Sequence, residues 1–131
     1  MAIALLPLFF TGCEDSDGGD ISLDKMVGLY ELIDITIIKA SGEVQDANVL
    51  SLDGGYLNVR DDSTYSETRN ISGSTEFESG SISFVGGSSV ELTDASSGQL
   101  IAATATKSRD TLTITKYPSG GEVHTMTWRA L

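Results

Sequence analysis

From Leu29 onward, apolar and polar residues alternate in short runs, separated by clusters of Gly, Ser, Asn and Asp. Alternation with period two predicts strands that bury one face, and the clusters predict the turns between them. Leu23 to Val27 reads as a short helical turn or lead-in. The first strong strand is Leu29–Lys39, with Leu29, Ile33, Ile35 and Ile37 on one face and Tyr30, Leu32 and Ile38 on the other. Apolar residues on both faces predict a bent strand that changes sides at a bulge. Ser41-Gly42 ends it, and Val44–Leu50 is either a loop or a short strand. Tyr56–Arg60, the turn Asp61-Asp62-Ser63 and Thr64–Ile71 predict a hairpin. Strands follow at Thr75–Val85 (with Gly80 as a bulge or kink), Ser89–Thr93, Gln99–Thr106, Thr111–Tyr117 and Val123–Leu131. Met126 and Trp128 fall on the inner face of the last strand.

The fold class is therefore all-β, with about eight strands and short connections. Successive hairpins make an antiparallel meander, and a meander of this length can close into an up-and-down β-barrel, which removes exposed edges. A two-sheet β-sandwich alternates inside and outside residues in the same way, so periodicity leaves both open. A weak repeat of Ser-Gly, strand, turn and strand links Ser79-Gly80-Ser81-Ile82 to Ser97-Gly98-Gln99-Leu100.

The amino-terminal end has a different pattern. Ala2 to Phe10 is wholly apolar. That run is too short to span a bilayer as a helix, which takes about 20 residues, but it suits the apolar core of a signal peptide. It leads into Phe10-Thr11-Gly12-Cys13, which resembles a bacterial lipobox, with Phe10 where the pattern usually has Leu. The resemblance implies that Cys13 receives the lipid, including palmitate, and becomes the new amino terminus. No Lys or Arg precedes the apolar run, which predicts that the signal peptide is truncated at its start. Glu14 to Asp20 is acidic and contains two glycines. A segment this polar buries too little surface to order itself, and a flexible tether is expected. Its acids do not fit a calcium loop of the EF-hand type, because Asp20 and Met26 occupy the positions that require Gly and Glu. The expected organisation is a signal peptide at 1–12, a lipidated cysteine and tether at 13–26, and a β-domain at 27–131.

Composition narrows the function classes. The net charge is −11, all of it after Gly12, which disfavours nucleic acid and anionic membrane surfaces as partners. The charge suits solubility at a crowded surface; a cation-binding surface is the sharper alternative. Cys13 is the single cysteine, so no intrachain disulfide forms. The single histidine, His124, reads as a core-rim residue, and one histidine cannot build a zinc site. No nucleophile elbow, metalloprotease motif or phosphate loop is present. The chain is read as a non-enzyme without metal or cofactor.

One strand face holds Tyr65, Glu67, Arg69 and Ile71. If it points inward, Glu67 and Arg69 must be paired or must meet a polar ligand. If it points outward, Thr64, Ser66 and Thr68 line the inside instead. A simple ion pair two residues apart is the third possibility.

Gly28-Leu29-Tyr30-Glu31-Leu32, Gly55-Tyr56-Leu57, Asp62-Ser63-Thr64-Tyr65 and the later Gly-led hairpins resemble the small lipocalin-like lipoproteins of bacteria. Tyr30 stands where that family has Trp after its first Gly. The resemblance places a basic residue over this ring, at Arg129 by position. It implies a barrel on a lipid anchor in the bacterial cell envelope, at the outer membrane, that binds a small hydrophobic ligand. Tyr30, Tyr65, Glu67, Arg69, Met126 and Trp128 are the candidate ligand-binding residues. The alternative is an envelope structural or interaction lipoprotein whose barrel is filled by its own side chains, Tyr56, Phe77 and Phe84 among them. A monomer is expected, with the membrane, a small apolar ligand or an envelope protein as partners.

Overall fold

The computed structural model describes residues 20–131. Among the described residues, one short helix, α1 (Leu23–Met26), precedes nine strands. These are β1 (Gly28–Ile38), β2 (Val44–Gln45), β3 (Leu52–Val59), β4 (Thr64–Ile71), β5 (Ser74–Gly86), β6 (Ser89–Asp94), β7 (Leu100–Ser108), β8 (Thr111–Tyr117) and β9 (Val123–Ala130). Apart from β2, which pairs only with the end of β1, each strand lies beside the next, and β9 returns to pair with β1. The result is a closed antiparallel barrel of eight strands, the up-and-down architecture of lipocalin-like folds. Closure through β1 and β9, from Val123 opposite Ile38 to Ala130 opposite Tyr30, excludes the sandwich.

The strands follow the sequence pattern closely. Thr64–Ile71 and Thr111–Tyr117 match residue for residue. The expected side-switch in the first strand is a bulge: Thr127 pairs with Asp34 and Trp128 with Leu32, so Ile33 is skipped. Tyr30 and Leu32 before it, and Ile35 after it, all point into the core. The open Val44–Leu50 segment resolves into a two-residue strand followed by turns. The weak repeat is not a structural one, since Gly80 lies within β5 and Gly98 lies in the turn before β7.

The barrel has a closed end and an open end. Strand direction places α1 with the β3–β4, β5–β6 and β7–β8 turns at the closed end. Ile21 and Met26 are buried there, and the Ile21 amide donates to Gly87 O at 2.9 Å. Residues 21–26 therefore pack as part of the barrel, whereas the sequence places them in the tether. Tyr30 Oη donates to Met26 O at 2.8 Å, and Lys107 Nζ donates to Tyr30 Oη at 3.2 Å and to Lys25 O at 3.0 Å. The cation over the Tyr30 ring is Lys107, 5.3 Å from its centroid. Arg129 is not over the ring; it is exposed and pairs with Glu31. Trp128, Tyr30, Leu112 and Leu57 form the apolar interior. Tyr56 and Phe77, expected as barrel filling, instead point outward, because each falls on the solvent side of its strand's alternation.

Candidate functional site

The candidate ligand residues divide between two levels of the barrel. Tyr30 and Trp128 are buried in the apolar core, Tyr30 at its α1 end, and Trp128 Nε1 has no hydrogen-bond partner among the described residues. Tyr65, Glu67 and Arg69 lie together on the inward face of β4, and Met126 lies on β9 nearer the open end. The inward orientation leaves Ser66 and Thr68 on the outer wall.

The interior of the upper barrel is crossed by a charge network. Glu67 is 1% exposed and Lys116 4%. Lys116 Nζ donates to Glu67 Oε1 at 2.9 Å and to both oxygens of Glu78 at 3.2 Å. Arg69 pairs with Glu67, donates from Nε to Glu76 at 3.2 Å and stands 3.6 Å from Glu78. Tyr65 Oη donates to Glu78 Oε2 at 2.6 Å. Charges this deep persist only when paired and hydrogen-bonded, and here Glu67 and Glu78 each have two donors.

The electrostatics follow from this packing. Burial pushes the Lys116 ammonium down to about 8, against the pull of Glu78 and with an added push from Arg69. Burial also works to raise Glu78, but Lys116, the Tyr65 hydroxyl and Arg69 outweigh it and hold the carboxyl below its usual range. Burial and the neighbouring Glu78 raise Tyr65, which keeps its phenol protonated as a donor. At neutral pH the lysine is therefore charged and Glu78 ionised, so the ion pairs are intact.

Among the described residues, three concavities bear on ligand binding. The space inside the barrel, bounded by Met26, Leu57, Val59, Ile82, Glu67 and Lys116, is about 10 Å³. That is at most the room for one water. On the other side of Arg69 an open cup of about 240 Å³ lies at the mouth. Its walls include Ile35, Ile37, Leu50, Ile71 and Met126, with Arg69, Glu76, Glu122 and His124 as polar groups. His124 Nε2 is 2.9 Å from Glu122 Oε1, and Lys39 pairs with Glu122 at 2.9 Å. The His124 and Lys39 contacts hold the Glu122 carboxyl below its usual range. A shallow open groove of about 660 Å³ lies on the outer wall and reaches the charge network at Tyr65.

Glu76, Glu78 and Lys116 were absent from the sequence-level candidates. The signal existed. Lys116 continues the inward series Leu112 and Ile114, and Glu76 and Glu78 flank the outward Phe77. Among the described residues no group of three or more His, Cys, Asp or Glu could hold a metal ion. Cys13 and most of the acidic tether lie outside the described residues. No protein-family model, curated protein or solved structure matches this chain.

Proposed function

We propose that this chain is a lipid-anchored protein of the bacterial cell envelope, at the outer membrane, whose barrel is a filled, non-enzymatic module that acts through its outside surface. The carrying observation is the packed interior. A site for a small ligand occupies about 300–1,000 Å³, whereas the barrel holds about 10 Å³ beneath the Glu67–Lys116–Glu78–Arg69 network that crosses it and a cup of about 240 Å³ at its mouth. Support for the anchor is the apolar run ending in Thr11-Gly12-Cys13. On this reading the tether joins the barrel beside α1, so the mouth faces away from the bilayer. Metabolic labelling with palmitate tests the anchor: the label is expected on the wild type and absent from Cys13→Ala, which should leave the membrane fraction. Label retained on Cys13→Ala would refute it.

The mouth cup favours a second reading, in which a small amphiphilic ligand rests on Ile35, Ile71 and Met126 with its polar end near Arg69 and His124. Native mass spectrometry of protein purified from membranes separates the two. A co-purified small molecule lost on Met126→Lys supports the cup, and a bare protein supports the filled module.

A further inference from the structure

We propose that the outer wall formed by β3, β4 and β5 binds a neutral glycan chain, with Phe77 and Tyr56 stacking on the sugar rings and Arg60 and the surrounding hydroxyls bonding to their edges. The inference deepens the role proposed above and rests on it for taking the outside as the working surface.

The outer face of β4 and β5 is uncharged, as those of β7 and β8 also are, and what sets the wall apart is that it carries two exposed aromatic rings in one row. The chain has a net charge of −11, yet the outward positions of β4 and β5, from Thr64 to Asn70 and from Thr75 to Ser83, are all uncharged. They are Ser, Thr and Asn apart from Phe77. Solubility would be served by charges there. Strand propensity does not call for Ser or Asn, whose side chains compete with the backbone for hydrogen bonds. A hydroxyl- and amide-bearing face of β4 and β5 that carries no charge of its own suits a neutral, hydroxyl-bearing partner and offers little to a polyanion or a polycation.

Aromatic rings interrupt this wall at a regular spacing. Phe77 pairs with Thr68, and Thr68 pairs with Tyr56, so the two rings share one row across three strands. They are 67% and 56% exposed. Two interstrand steps separate them, about 9–10 Å, comparable with the length of two sugar rings. Beyond Phe77, β6 ends at Asp94 opposite Gly80, and the wall dips into the groove of about 660 Å³. Gly80, Phe77 and Arg60 line it, with Tyr65 of the interior network. Arg60 is held in place by Thr64 Oγ1 at 3.2 Å and Ser66 Oγ at 2.8 Å, which leaves a positioned guanidinium as donor. The two charges of the groove, Arg60 and Asp94, cancel.

The test is a titration of the ¹⁵N-labelled full-length protein, in a detergent without a sugar headgroup, with cellohexaose and with the hexamer of N-acetylglucosamine. Saturable amide shifts at Tyr56, Ser66, Phe77 and Ser79 are expected with at least one of them. Phe77→Ala, a change at an exposed ring that leaves the core intact, is expected to weaken binding roughly tenfold, the order of one aromatic contact. The proposal is overturned if neither oligosaccharide gives saturable shifts, or if Phe77→Ala binds as the wild type does. It is also overturned if the protein forms a dimer that Phe77→Ala abolishes, which would assign the wall to a second copy of the chain. Palmitate labelling is independent of this titration, so anchor and wall can fail separately.

Discussion

Lys116 is the residue on which the interior depends. Its ammonium faces two buried carboxylates, Glu67 and Glu78, on β4 and β5. Lys116→Met fills similar volume but leaves those acids to Arg69 and Tyr65 alone. Removing one partner of a buried pair costs roughly 3–5 kcal/mol. A loss of that size is expected in urea unfolding. Changing Glu67→Gln and Glu78→Gln as well should recover most of it, because neutral groups need no counter-charge. The pH dependence has two arms. Lys116 has a folded pKa near 8, below its ordinary 10.5. The unfolded chain therefore binds more protons between those values, so this group raises stability as pH climbs through 8. Glu78 is held below its ordinary 4.5, so its contribution is present above that value and fades as pH falls through the folded one. The urea midpoint of the wild type should rise from pH 7.5 to 9.5, while that of Lys116→Met should stay level over the same range. A parallel rise in both proteins would show that another group is responsible.

Among the elements, β5 is the longest strand and the one that shapes the outer wall. Its Gly80 lies opposite Tyr65 on β4 and Asp94 on β6. A Cβ there would sit 1.9 Å from Thr93 O, a backbone atom that cannot swing aside. Gly80→Ala must therefore push β6 away from β5. A loss of about 2–4 kcal/mol is expected, at or above the upper range for overpacking, read as a lowered thermal midpoint. Gly55 on β3 is under the same constraint, since a Cβ would meet Thr68 O at 2.2 Å. In the sequence Gly80 reads as a bulge or kink. That a position in β5 matters is legible, but the close approach of β6 behind it is not, because the two strands meet only through the hairpin. The bulge at Ile33 was legible, since apolar residues on both faces of one strand cannot all be buried without a change of side.

At the scale of the whole barrel, the decisive property is that the interior around Trp128 and beneath the charge network is full, with a cup of about 240 Å³ above it at the mouth. Trp128 has no exposed surface, and its strand neighbours are Leu32 and Leu112. Its fluorescence should therefore resist acrylamide, with a quenching constant several-fold lower than that of the urea-unfolded chain. Saturating palmitic acid should leave its emission unchanged. A shift or quenching on adding the fatty acid would mean that the interior opens. The acidic charge is borne mostly outside, while the network within the barrel balances Glu67 and Glu78 against Arg69 and Lys116.

The sequence alone determined the strands and their turns, the side-switch in β1, and the apolar run leading to Cys13. These depend on local alternation and on residues with restricted backbone preferences, which neighbours along the chain express. The tertiary structure decided between barrel and sandwich, because closure joins β1 to β9 across nearly the full length of the domain. It also decided which way the Glu67 and Arg69 face points. A carboxylate can turn inward only if a cation meets it there, and Lys116 comes from 49 residues further along the chain. The pattern on β4 is the same for either orientation, and only the arrival of β5 and β8 makes the inward one affordable.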